Sequence, residues 1–349
     1  MKYKVTFAVV LSTIILISLS GCNSKKELSR LETGMKLLHE LNYEEANKSF
    51  EAAVANGENA QKAYRGAGLA NLAMANYEDA ESAFEHALQE SNGIVGDMEY
   101  DISYYLALTE YKSGQLDRAY ETYSAIIAMD EKSEKAYYLR GSTALKNNQY
   151  ELAMSDFNQA ITLAPKDHDL YIRIYENLSE MGYEEDGKIF LKKALEGDTK
   201  MSIYQQGKFY YYLGQYEDAR NSFEQAAKSI DTVEMILFLG RTYEAMGDVN
   251  YAASLYDNYL QKHEGAAPVY NQLGICRLGS KEYEQALAAF EAGIALEDES
   301  LMQSLKYNEI VAHEYLCDFK KAAVLMSEYL KKYPDDAKAI RENDFLKSR

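Results

Sequence analysis

Apolar residues return every third or fourth position along most of the chain, the spacing that lines one face of an α-helix. The stretch from Ser202 to Ser229 shows the pattern at its clearest. Tyr204, Gly207 and Tyr211 fall on one face of a first short helix. Tyr216, Ala219, Phe223 and Ala226 fall on one face of a second, with Gly214-Gln215 between the two. Small residues let two helix backbones approach, and the aromatics fill the space beside them. A pair this short cannot bury its apolar face alone and needs copies stacked on either side.

The copies are present. A small residue stands near the start of each second helix at Ala46, Ala80, Ala119, Ala153, Gly187, Ala219, Ala252, Ala286 and Ala322, at intervals of 34, 39, 34, 34, 32, 33, 34 and 36 residues. Four residues after each comes a large apolar side chain: Phe50, Phe84, Tyr123, Phe157, Leu191, Phe223, Tyr256, Phe290 and Met326. Twelve residues before each come Gly34, Gly68, Ala107, Gly141, Tyr175, Gly207, Gly240, Gly274 and Ile310. Glycine costs about 1 kcal/mol relative to alanine inside a helix, so its recurrence there needs a packing reason, and close contact between paired helices supplies one.

This small–aromatic–small signature on a 34-residue period resembles the tetratricopeptide repeat (TPR), over nine repeats from about Glu27 to Asp336. The resemblance implies an all-α, right-handed superhelical solenoid of nine helix pairs, with residues 337–349 as a C-terminal capping helix. The signature tryptophan of the first helix is absent, and tyrosine stands near its place at Tyr64, Tyr137 and Tyr270. Repeats one and two then cover 27–94, an inserted loop 95–99, and repeats three to nine 100–336. The insertion around Ser91-Asn92-Gly93-Ile94-Val95-Gly96-Asp97 reads as a tolerated surface loop or as a hinge. In the fifth repeat Tyr175 stands where a small residue is expected, and either Gly187 or Asp186 takes the small position of the second helix. Loose packing that bends the array and simple drift both fit.

The N-terminus breaks the pattern. Lys2 and Lys4 precede an apolar run from Val5 to Leu19, too short to span a bilayer but suited to an export signal. Leu19-Ser20-Gly21-Cys22 resembles the lipobox of bacterial lipoproteins. That implies a signal peptide over residues 1–21, cleavage before Cys22, lipid attachment at Cys22, and residues 22–26 as a short tether. The expected location is the cell membrane or an outer membrane, lipid-anchored and facing outside the cytoplasm.

Composition narrows the chemistry. The net charge of −18 argues against nucleic acid, whose phosphates need clustered Lys and Arg. No nucleophile elbow, phosphate loop or metal-binding helix motif occurs, and the five histidines, His39, His86, His168, His263 and His313, are scattered. Neither a cofactor nor a metal is expected, nor is catalysis. Acidic clusters such as Glu184-Glu185-Asp186 and Glu297-Asp298-Glu299 read as solvated or as serving helix starts. Cys276 and Cys317 sit in neighbouring repeats, where an exported chain could pair them, but they read as buried free thiols, because Cys276 falls within the first helix of its repeat and Cys317 at the end of the next, a poor geometry for a disulfide.

The TPR resemblance implies a concave groove lined by the first helices, which binds a partner. Carried over by position, it points to Tyr104 and Leu108, Tyr138 and Ser142, Tyr204 and Lys208, Leu237 and Arg241, and Tyr307 and Val311, with Arg65, Asn271 and either Tyr171 or Tyr175 joining them. A tyrosine-lined groove with a few basic residues suits protein or peptide ligands. The expected function is a membrane-anchored scaffold that binds such partners and organises a cell-envelope complex. The alternative is a lipoprotein that binds an oligosaccharide or cell-wall fragment by stacking on the tyrosines.

Overall fold

In the computed structural model, which describes residues 28–91, 93–197, 200–263 and 265–347, the repeating pattern becomes an all-α solenoid of helix pairs. The first four pairs are α1 (Arg30–His39) with α2 (Tyr43–Ala55), α3 (Ala60–Ala73) with α4 (Tyr77–Gln89), α5 (Asp97–Ser113) with α6 (Leu116–Met129), and α7 (Glu134–Lys146) with α8 (Tyr150–Leu163). They continue as α9 (His168–Glu180) with α10 (Glu184–Gly197), α11 (Ile203–Tyr212) with α12 (Tyr216–Ala226), and α13 (Val233–Ala245) with α14 (Val249–Leu260). The last pairs are α15 (Ala267–Gly279) with α16 (Tyr283–Ile294) and α17 (Glu299–Tyr315) with α18 (Phe319–Lys332), and α19 (Ala337–Leu346) packs on α18. The chain divides between Ala194 and Leu195 into an N-terminal unit, with α1 to α9 and most of α10, and a C-terminal unit with α11 to α19. The expected signal segment 1–21, Cys22 and the tether 22–26 lie outside the described residues. No described helix is long and apolar enough to cross a membrane.

The glycines of the first helices have a steric cause. A Cβ added at Gly34 would stand 2.7 Å from the Phe50 ring, at Gly68 2.6 Å from Phe84, at Gly207 2.8 Å from Phe223 and at Gly274 2.3 Å from Phe290. Each aromatic lies against the bare backbone of its own partner helix, and all four rings are fully buried. Phe50 also meets the next first helix, where a Cβ at Gly66 would come within 2.4 Å of it. One ring therefore joins three helices, which is how a pair too small for its own core borrows its neighbour's.

Where the first-helix residue is larger, its partner changes. Ile310 faces the flexible Met326 within one buried cluster. In the fifth pair the sizes are exchanged: a Cβ at Gly187 would stand 3.0 Å from the Tyr175 ring and 3.1 Å from its Cα. Gly187 is buried and Asp186 half-exposed, so Gly187 holds the small position.

Every turn within a pair uses a left-handed residue five positions before the small residue of the second helix. These are Leu41, Ala75, Gly114, Asn148, Gly182, Gly214, Gly247, Lys281 and Cys317. Lys281 holds φ at 64°, a conformation that costs an L-residue about 1–2 kcal/mol and a glycine almost nothing. Lys281→Gly is expected to stabilise the chain by about 0.5–1 kcal/mol, because glycine's greater freedom when unfolded offsets part of the relief. Urea melts of the two proteins check this, and an unchanged or lower midpoint would refute it.

The loop expected over 95–99 is shorter than that, because Asp97 already begins α5. Glu99 fastens the connection. Its carboxylate accepts hydrogen bonds from Gln61 Nε2 at 2.8 Å, Ser91 Oγ at 2.9 Å and the Gly96 amide at 3.0 Å. Those donors, Gln61 foremost, hold its pKa down at about 2. The insertion is thus pinned to α3.

At the other end, burial and then the Glu342 carboxylate of α19 push Glu314 of α17 up to about 7 from an ordinary 4.5, against a weaker opposing pull from Lys338. A carboxyl raised in the folded state favours the fold when protonated. That contribution is complete below about pH 4.5 and is lost as pH rises through about 7. Glu342→Gln removes the repulsion. It is expected to lift Tm at pH 8 by about 2–4 °C, the effect of roughly 1 kcal/mol in a unit of this size, with a smaller gain at pH 5. Equal shifts at both pH values would count against the pairing.

Candidate functional site

The first helices stand side by side within each unit: α1, α3 and α5, then α7 and α9, in the N-terminal unit, and α11, α13, α15 and α17 in the C-terminal one. From α3 onward within each unit, polar side chains tie one first helix to the next. In the N-terminal unit the Arg65 side chain of α3 reaches Asp101 of α5, with its guanidinium 5.8 Å from the Tyr105 ring centroid. The Tyr104 hydroxyl lies 2.8 Å from Oγ of Ser133, the N-cap of α7, and Lys135 Nζ sits 4.2 Å over the Tyr104 ring. The Tyr138 hydroxyl accepts a 2.6 Å hydrogen bond from Asn177 Nδ2, and Arg173 lies 4.8 Å over its ring. Asn177 also donates to Ser142 Oγ at 3.2 Å. Burial raises the pKa of both Tyr104 and Tyr138, so they stay neutral hydrogen-bonding groups.

In the C-terminal unit the same positions are more enclosed. Tyr204 packs against Phe223, ring centroids 5.9 Å apart. Lys208 is buried; its Nζ donates to Glu234 Oε1 of α13 at 3.1 Å and lies 5.6 Å over the Phe238 ring. Arg241 is half-buried on α13. Asn271 accepts from Asn308 Nδ2 at 2.9 Å. Tyr307 is buried under Lys338 Nζ, 4.5 Å from its ring, and burial pushes its pKa up to about 12.

Two expected groove residues lie elsewhere. Tyr171 is only 5% exposed and its hydroxyl donates to the Pro165 carbonyl at 3.3 Å. Tyr175 faces Gly187 inside its own pair, because that pair exchanges its large and small positions. Arg173 and Asn177 take their place on α9. They stand one helical turn apart and keep contact with solvent while Leu170, Ile174 and Leu178 are buried. Their four-residue spacing is legible in the sequence, where Tyr171 and Tyr175 fit the groove positions of the repeat equally well.

The two helix sets differ in charge. The second helix α4 carries Glu78, Asp79, Glu81 and Glu85 with no Lys or Arg. The first helices α3 and α7 carry Lys62, Arg65, Lys135, Arg140 and Lys146. Much of the acidity therefore lies away from the tyrosine rows. Cys276 is a buried free thiol with its pKa raised by burial. Cys317 is free too, but exposed rather than buried, because it occupies a left-handed turn. Glu291, Glu309 and His313 bring ligand atoms to within 4.8 Å of one another, a grouping that linear spacing did not reveal.

Two family models, both described as tetratricopeptide repeat, match the chain, one at residues 33–93 and 104–168 and the other at 202–230. Among curated proteins, Protein STIP1 homolog of Dictyostelium discoideum is 29% identical over 130 residues, 36% of this chain and 22% of that protein, so the match spans about a fifth of the relative. A crystal structure of a tetratricopeptide repeat protein from Parabacteroides merdae aligns with 72% of this chain and 99% of its own at 15% identity and a TM-score of 0.47. YrrB, described as a TPR protein with an unusual peptide-binding site, aligns with 54% of this chain and 97% of its own at 23% identity and a TM-score of 0.37.

Proposed function

We propose that this chain, a tetratricopeptide repeat protein, is an extracytoplasmic scaffold that binds an extended protein or peptide segment along the first helices of its N-terminal unit. The observation that carries the reading is the row of cation-capped tyrosines, Lys135 over Tyr104 and Arg173 over Tyr138. Both cations are exposed, and each tyrosine hydroxyl is held by the next first helix. Rings fixed in this way offer a partner flat contact area at low entropic cost, and the cations above them favour acidic or aromatic groups. No catalytic step is part of this reading.

Photo-crosslinking from positions 135 and 173 in the envelope of the producing cell tests it, with Glu121 on α6 as the control position. A partner is expected from 135 and 173 and not from 121, and Arg173→Glu is expected to weaken capture at least tenfold with Tm unchanged. Equal capture from all three positions would overturn the groove. Thermal stabilisation by cell-wall oligosaccharides but not by the captured partner would move the reading to small-ligand binding.

Anchoring at Cys22 belongs to the same proposal, supported by the basic start, the apolar run and Leu19-Ser20-Gly21-Cys22. A lipid there would hold the first repeat close to the membrane and let the array present a partner at the envelope.

A further inference from the structure

Glu309 and His313 stand four residues apart on α17, and α16 brings Glu291 alongside, so that one ligand atom from each lies within 4.8 Å of the other two. We propose that these three side chains form a divalent-cation site of the transition-metal class, best fitted to Zn2+, that staples the eighth helix pair to the ninth.

The spacing and the donor set argue for it together. Residues four apart share a helix face, and a third donor from the neighbouring helix closes the site, as in metal sites built between facing helices. One imidazole nitrogen with two carboxylates suits zinc, which accepts mixed nitrogen and oxygen ligands and keeps a water in its fourth position. An all-oxygen set would have favoured calcium or magnesium instead.

His313 supplies an independent observation. It is 8% exposed, and its Nε2 is buried without a hydrogen-bond partner. Buried polar atoms left in that state are rare and mark an unfilled role. Asp318 Oδ2 lies 3.7 Å from Nδ1 on the other side of the ring. A carboxylate there favours the proton on Nδ1 and leaves the Nε2 lone pair available to a metal, the usual outer-shell arrangement behind a ligating histidine.

Equilibrium dialysis of the full chain against ZnCl2 tests the site. One saturable equivalent is expected, weakened at least tenfold by Glu291→Gln and by Glu309→Gln and unchanged by Cys317→Ser. Zinc at a hundredfold excess over its Kd is expected to raise Tm by about 5–10 °C, and not in Glu291→Gln. Glu291 is exposed, so that variant stays interpretable even if His313→Gln fails to fold. No saturable equivalent, binding retained in both glutamine variants, or binding lost in Cys317→Ser would each overturn the proposal.

Discussion

Gly240→Val is expected to destabilise the C-terminal unit by about 3–5 kcal/mol, a drop in Tm of roughly 6–20 °C. A Cβ at Gly240 would stand 2.2 Å from Cζ of Tyr256 and 2.3 Å from its hydroxyl. Tyr256 cannot swing aside cheaply. It is fully buried, and its hydroxyl donates to Glu244 Oε1 at 2.7 Å, while Gln272 Nε2 donates to the other oxygen of Glu244 at 2.8 Å. Inserting carbon atoms into a filled core costs about 1–3 kcal/mol, and a displaced hydroxyl that strips a hydrogen bond from a partly buried carboxylate costs about 1–3 more. The loss should spread, since stability in a repeat array is a sum of pair and neighbour-interface contributions. Gly279 is the internal control: an added Cβ there meets nothing within 4 Å, so Gly279→Ala should be neutral or mildly stabilising. Tyr256→Leu in the Gly240→Val background should recover part of the loss, because the two changes share one contact. A Gly240→Val protein melting within a degree of the parent would refute the steric account of the glycine repeat.

That account also explains what could be read from the chain before its structure. A small residue followed four positions later by a large apolar one recurs nine times, seven of them aromatic, so Ala46 with Phe50 and Ala286 with Phe290 were legible as packing. The left-handed turns at Leu41 and Lys281 were not, because neither residue signals that conformation and the neighbouring helices impose it. Tyr171 and Tyr175 leave the groove for a related reason: one register does not hold for all repeats, since the fifth pair trades its large and small positions at Tyr175 and Gly187. The ties between first helices, such as Lys208 to Glu234 and Asn177 to Tyr138, join residues 26 and 39 positions apart, and only the stacking brings them together. Glu291 joins Glu309 and His313 in the same way. Periodicity therefore reported each pair's interior, and the contacts between pairs needed the fold.

Arg140→Met is expected to cost about 3–5 kcal/mol in the N-terminal unit, through contacts both inside the fourth pair and with α6 of the third. Arg140 grips Asp156 of α8 with both sides of its fork, Nε to Oδ2 at 2.8 Å and Nη2 to Oδ1 at 2.7 Å, and its Nη1 donates to Ser124 Oγ of α6 at 3.1 Å. Its guanidinium also lies 5.2 Å from the Tyr120 ring centroid and 5.5 Å from that of Tyr137. Asp156 is only 4% exposed. Removing the cation strands a buried carboxylate, which is what makes one-sided loss of a buried pair so costly. Arg140→Lys keeps the charge but loses the planar fork, so it should fall between parent and Arg140→Met. The double change Arg140→Met with Asp156→Leu separates charge from shape. Apolar replacement of a whole buried pair is often neutral, so its Tm should return to near the parent value. Arg140 sits between Tyr138 and Ser142 on α7, the two residues that meet Asn177. The double variant should therefore also recover whatever partner capture Arg140→Met loses, whereas recovery of Tm alone would make Arg140 a recognition residue in its own right.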